Sequence, residues 1–146
     1  MKNENYTCSI TANITAKEAF DGINQVSKWW IKNFKGSSEK INDEFIVQVG
    51  DNHYSKHKLI EVIPNKKIVW LVTESKLNWL KNDKQEWTNT KISFEIFAKD
   101  GQTVINFIHI GLEPEVECYN NCVKGWDQIL KTSLFKQLTE GKGQPV

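Results

Sequence analysis

The stretch VKGWDQILKTSLFKQLTEGKG, residues 123–143, decides how the rest of the chain is read. Together with the residues before it, it spaces Tyr119, Cys122, Val123, Trp126, Leu130, Ser133, Leu134 and Leu138 by threes and fours. That spacing marks one buried face of a long amphipathic helix, and the last quarter of the chain, from Pro114, is read as helical. Gly141 stands where a left-handed C-terminal cap is expected, and Pro145 keeps the helix from resuming. Gly125 beside Trp126 is the oddity, because glycine inside a helix costs about 0.5–1 kcal/mol relative to alanine. Either Gly125 admits a close neighbour while Trp126 anchors a core, or Gly125 allows a bend and Trp126 projects over the mouth of a partly hollow interior.

Working back from this helix, the chain becomes a run of strands. TKISFEIFAKDGQTVINFIHIGL, residues 90–112, holds two alternating segments joined at Asp100-Gly101, a strong hairpin signal. EFIVQVG, HYSKHKLIEVI and IVWLVTE read as three more strands, the last two separated by PNKK. NYTCSITANI, residues 5–14, reads as a first strand, and TAKEAFDGI as a helix whose Thr15 and Glu18 form a capping box. VSKWWIKNF reads as a second short helical turn, and KGSSEK as a turn or edge segment. The expected fold is α+β: a curved antiparallel sheet around a long C-terminal helix, with two short helices after the first strand, in one domain spanning 1–146. One helix is narrower than such a sheet, so a gap between them is expected, and clefts of that kind commonly hold small ligands.

Composition narrows the function classes. With a net charge of +1 and lysines interleaved with acids, the chain has no basic field for nucleic acid. No apolar run reaches the length of a signal peptide or a membrane span, so the expectation is a cytoplasmic protein with no membrane partner. Cys8, Cys118 and Cys122 are odd in number and suggest no disulfide framework. Six tryptophans in 146 residues are the first compositional hint of function.

The order of these segments resembles the START-like superfamily, also called the SRPBCC, Bet v-type or helix-grip fold. Within it the chain resembles the branch of the C-terminal domain of the heat-shock-protein ATPase activator homologue. ITAKEAF, KWW, EVIPNKKIVW, TKISFEI, TVINFIHIGL and the closing GWDQILKTSLFKQLTEGKG carry the resemblance. It implies a helix-grip fold with an internal cavity, among relatives that include lipid carriers, ligand-binding proteins, cyclases and aromatases. It also implies a partner, a chaperone docked by the family's activator domain, and a homodimer is a further expectation.

The candidate site follows from strand alternation and the helix face. Phe94 shares a face with Ile92 and Ile96, and Phe107 with Ile105 and His109. Trp70 sits in IVWLV, which is apolar on both faces. On this reading Trp30, Trp70, Phe94, Phe107 and Trp126 line the cavity with apolar and stacking area, and Cys122 and Leu130 join them from the helix. His109 is the candidate polar anchor, weighed against a histidine simply satisfied inside a core. ESKLNWLKNDKQEW, residues 74–87, is read as a flap whose Trp79 or Trp87 covers the entrance.

His53 and His57, interleaved with lysines, are assigned to a solvated face. Cys118 and Cys122, four apart, are read as inert small hydrophobes in preference to metal ligands with His109. No metal, cofactor or catalytic set is assigned, and Glu61, Glu74, Glu95 and Asp127 receive no role. The expected function is binding of a small apolar or aromatic molecule, with a chaperone-associated interaction domain as the alternative and a cyclase- or hydrolase-type enzyme ranked last.

Overall fold

The structure, a computed structural model, describes residues 5–146. Seven antiparallel strands form one sheet: β1 (Tyr6–Ala12), β2 (Phe34–Gly36), β3 (Glu44–Val49), β4 (His53–Ile63), β5 (Lys67–Leu77), β6 (Lys91–Lys99) and β7 (Gln102–Ile110). Their order, β1-β7-β6-β5-β4-β3-β2, is a meander whose first strand closes against the last. β1 and β2 therefore lie at opposite edges. The chain between them, α1 (Ala16–Asn24) and α2 (Val26–Trp29), must cross from one edge to the other. That crossing carries Trp29 and Trp30 into the interior.

Local signals act as expected at several points. Thr15 accepts from the Glu18 amide while the Glu18 side chain accepts from Thr15 N–H, a complete capping box. The β6–β7 hairpin turns on Asp100 and Gly101, both at positive φ (54° and 79°), as a tight two-residue turn requires. Gly141 ends the last helix at φ 76°, its N–H on the Gln137 carbonyl. On β1 the alternation is complete: Tyr6, Cys8, Ile10 and Ala12 are buried, and the residues between them are exposed.

The C-terminal rod is helical over α3 (Tyr119–Gln128), a π-helical turn (Ile129–Leu134) and α4 (Phe135–Glu140). It starts at Tyr119, five residues later than Pro114, because residues 114–118 form turns and a bend. The first helical N–H groups need partners from elsewhere. Glu86, far away in sequence, supplies one: its carboxylate accepts from Glu117 N–H (3.1 Å) and Cys118 N–H (2.7 Å). Cys122, Trp126, Leu130, Ser133, Leu134 and Leu138 face the sheet and are buried, the face read from the periodicity. Tyr6 Oη donates to Asp127 Oδ1 at 2.5 Å and ties β1 to the rod.

Three expectations are corrected. Cys118 and Cys122 are joined as a disulfide, their Cα atoms 5.6 Å apart, a separation a disulfide can span. Cys8 is free and buried. His57 is not on a solvated face: it is 0% exposed, and His53 is half-buried. The lysines that suggested solvent, Lys56 and Lys58, occupy the opposite side of β4. Finally, the space expected to be hollow is occupied by side chains, chiefly indole rings.

Candidate functional site: a closed aromatic chamber

Trp30 is the centre of this interior. It caps α2 and projects between the sheet and the rod, where ring centroids surround it: Trp126 at 5.1 Å, His57 at 5.3 Å, Trp70 and His53 at 5.9 Å, Trp87 at 6.4 Å. It stacks nearly parallel on Trp70 (15°) and Trp87 (23°), and both histidines approach it edge-on. Trp87 and Trp126 stack on each other at 5.9 Å and 9°. Phe94 and Phe107 close the floor, with Phe107 4.7 Å from Trp126. Such contacts contribute about 0.5–1.5 kcal/mol each beyond area burial. The open clefts of about 430 Å³ beside Phe20 and Gln25 and about 390 Å³ beside Tyr54 and Gln85 lie outside this chamber.

Trp30 is held from behind by the C-terminal tail. Val146 N–H donates to the Trp30 carbonyl (2.9 Å), and Lys32 N–H to the Val146 carbonyl (2.8 Å). In the π-helical turn, Ser133 Oγ donates to the Trp29 carbonyl at 2.6 Å and accepts from Gln144 N–H at 2.7 Å. Gly143 makes this strap possible, since a Cβ there would lie 2.5 Å from the Lys28 carbonyl and 2.8 Å from that of Ser133. Gly125, by contrast, faces open space within 4 Å and lines an outer groove of about 220 Å³ with Ile129 and Val146. Its close-neighbour reading is therefore set aside. Gly143→Ala is expected to lower the unfolding free energy by roughly 1–3 kcal/mol, and Gly125→Ala to leave it unchanged or raise it by about 0.5–1 kcal/mol. Urea melts of the two variants check this contrast.

The roof is the segment from 78 to 90. The Glu117 carboxylate accepts from the amides of Lys81 (2.8 Å) and Asn82 (3.0 Å), while Glu86 caps the start of the rod. Flap and rod thus hold each other through two carboxylates. Those backbone bonds keep Glu117 below the usual carboxylate range. Trp87 is buried in the chamber, whereas Trp79 is 40% exposed and lies outside it. Of the two candidate flap tryptophans, only Trp87 reaches the site.

His109 has both ring nitrogens engaged. Trp126 Nε1–H can only donate, so His109 Nδ1, 3.1 Å away, is the acceptor and carries no proton. The neutral ring's proton is therefore on Nε2, 2.9 Å from Thr90 Oγ1, and Thr90 passes its own hydrogen to the Trp87 carbonyl at 2.6 Å. A protonated His109 would set two N–H groups against each other. Burial reinforces this and pushes its pKa down to about 3. His109 thus fixes Trp126 and the flap base.

Free hydrogen-bonding capacity lies elsewhere in the chamber. His57 Nδ1, Trp70 Nε1 and Trp87 Nε1 are buried and have no partner among the described residues. On β4, His53 Nε2 and His57 Nε2 each lie 2.8 Å from Ser55 Oγ. Desolvation lowers the pKa of His53 to about 4 and holds that of His57 well below its ordinary value. A register shift between Lys56 and His57 falls at this point of the β4–β5 ladder, a place where bulges re-aim side chains. Sequence reading missed His53, Ser55 and His57. The signal was present in their period of two, which continues to the fully buried Leu59 and sets the phase inward.

A curved seven-stranded sheet gripping a C-terminal helix, with the chamber between them, defines the helix-grip class. The chain belongs to the family described as Activator of Hsp90 ATPase homolog 1-like protein, whose family model matches residues 18–139. Among solved structures it is similar to the Aha1 dimer from Colwellia psychrerythraea (22% identity, 95% of this chain and 98% of that one, TM-score 0.74). It is also similar to DynU16, a putative protein of the dynemicin biosynthetic locus (12% identity, 97% of this chain, TM-score 0.71), of which it spans about half, 49%. SSP2350 from Staphylococcus saprophyticus has the same fold (11% identity, 96% and 95% coverage, TM-score 0.70). Among curated proteins nothing matches the chain. No helix among the described residues is long and apolar enough to cross a membrane.

Proposed function

We propose that this domain binds a small, flat, largely apolar molecule between the sheet and the C-terminal helix, and that Trp30 and the 78–90 flap withdraw to admit it. One observation carries the reading: three buried polar atoms, His57 Nδ1, Trp70 Nε1 and Trp87 Nε1, are unpartnered within one aromatic cluster. Leaving such a group unsatisfied costs about 1–3 kcal/mol, and phenylalanine or leucine at these positions would carry no such cost. Donors and acceptors kept in an apolar enclosure are what orient a ligand. Native mass spectrometry of freshly purified protein tests this, with a co-purifying small molecule released on denaturation as the expected result. A bare protein mass, and no binding from a panel of bicyclic aromatic compounds, would sink the reading.

Family membership favours a second reading, a domain that docks on a chaperone ATPase and stimulates it, or that pairs with its own copy. Exposed Trp79 offers an apolar contact for either. An ATPase assay with a purified Hsp90-type chaperone, and light scattering for oligomeric state, separate these outcomes from ligand binding.

A further inference from the structure

We propose that His53, Ser55 and His57 form a proton relay into the chamber, making this domain a proton-transfer catalyst for flat bicyclic carbonyl compounds with an acidic C–H. The inference rests on the ligand-binding reading above and adds a reaction to it.

The geometry is specific. Two imidazole Nε2 atoms converge on one hydroxyl at 2.8 Å each, and a serine hydroxyl carries a single hydrogen. In the relay, one ring accepts that hydrogen at Nε2 while the other donates its Nε2–H to the same oxygen, an arrangement distinct from the one in which both rings donate to the hydroxyl. The chain His–Ser–His has a direction, and it reverses when both bridging protons shift together. Its outer end, His53, is half-buried at the start of β4, and its inner end, His57, is 0% exposed. His57 Nδ1, the atom beyond the relay, is one of the three unpartnered polar atoms of the chamber. A core that needed only packing has no use for two imidazoles converging on one hydroxyl with an unpartnered, buried ring nitrogen beyond them.

The step balances without any oxidant or co-reactant. In the starting state His57 carries its proton on Nε2, donated to Ser55, and Ser55 donates to His53 Nε2. The substrate's α-C–H bond breaks, and its proton bonds to His57 Nδ1. The electron pair enters the enolate, whose oxygen takes the charge. His57 Nε2–H passes to Ser55 Oγ, the Ser55 hydrogen passes to His53 Nε2, and the proton on His53 Nδ1 leaves to solvent. Returning protons along the same path reprotonates the carbon. The indole N–H groups of Trp70 and Trp87, unpartnered in the same chamber, are the donors available to the enolate oxygen. His57 is the catalytic base, while Ser55 and His53 act through it.

The first test needs no variant. Nitrogen-15 NMR of the labelled protein at pH 7 should show opposite states at the two Nε2 atoms, one protonated and one bare. Two rings both protonated at Nε2 would overturn the relay, because the hydroxyl hydrogen would then have no acceptor in it. The second test follows deuterium uptake at the α-carbons of 2-indanone in D2O. Wild type should accelerate it by roughly 10²-fold over buffer with equimolar imidazole. Ser55→Ala should lose at least about tenfold of that rate while 2-indanone affinity stays within about threefold, and His57→Gln should fall to the buffer rate. Thermal melts establish that each variant is folded, and Ser55→Cys replaces Ser55→Ala if that variant is not. Binding without acceleration, or equal acceleration by wild type and Ser55→Ala, overturns the relay and leaves the ligand-binding reading standing. Failure of wild type to bind 2-indanone overturns the substrate class stated here, and failure of the whole bicyclic panel takes the ligand-binding reading with it.

Discussion

Trp126→Ala is expected to lower the unfolding free energy by about 5 kcal/mol, the upper end of the range for removing a buried tryptophan. Two losses combine. The indole packs against Phe107, Trp30 and Trp87 at 4.7, 5.1 and 5.9 Å, in an interior already filled, so its removal leaves a void that rigid ring neighbours cannot collapse into. It also removes the donor to His109 Nδ1, stranding a fully buried nitrogen. Trp126→Phe separates the terms: it keeps most of the packing, loses the hydrogen bond, and should cost about 1–3 kcal/mol. Equilibrium urea unfolding of both variants measures this. A loss under about 1 kcal/mol for the alanine variant would mean that the chamber is roomy in solution.

Acidification is expected to unfold the protein well above the pH at which ordinary carboxylates titrate. His57 and His109 are fully buried and neutral, with pKa values pushed below the ordinary 6.5 by burial, His109 to about 3. A histidine whose folded pKa is depressed contributes its full stability above the unfolded pKa and loses it as pH falls below that value, because the unfolded chain then binds the extra proton. The slope is about 1.4 kcal/mol per pH unit for each ring, so about 3 kcal/mol per unit for these two together below pH 6.5. His53, lowered to about 4, acts in the same direction with a smaller share because it is half-buried. Asp43 and Glu117, whose pKa values are lowered by hydrogen bonds, lose their contributions only as pH drops below about 4.5. The window from pH 6.5 to 4.5 therefore isolates the histidines. Urea midpoints at pH 7.5, 6.0 and 5.0 should be level above 6.5 and fall steeply below it. A flat profile would mean that these rings are solvated.

The two expectations bear on the chamber from opposite sides. Tight packing around Trp126 and neutral buried histidines both describe a closed interior, and admitting a ligand means moving Trp30 and the flap that close it. The parts holding them are the tail strap on Trp30, the Glu86 and Glu117 carboxylates between flap and rod, and, at the flap base, the hydrogen bonds of Asn89 and Thr90 to Val72 and of Thr90 to His109. Each of these hydrogen bonds is individually worth about 1 kcal/mol net. An entrance secured this way can open without unfolding the sheet.

The sequence by itself determined what depends on short-range chemistry and periodicity. The capping box at Thr15, the Asp100-Gly101 hairpin, the Gly141 cap and the buried face through Trp126, Leu130 and Leu138 are properties of neighbours in the chain, and together they implied a sheet gripping a helix. Tertiary structure decided the rest. Whether Gly125 meets a neighbour or open space depends on elements far away in sequence, as does the fit of Gly143 under Lys28. The lysines of HYSKHK signalled solvent, yet a strand has two faces, and the histidines share the phase of Leu59 and pack inward against Trp30 and Trp70. The expected hollow held Trp30 instead, because the sheet order puts β1 and β2 at opposite edges and obliges the crossing between them to carry an indole through the middle.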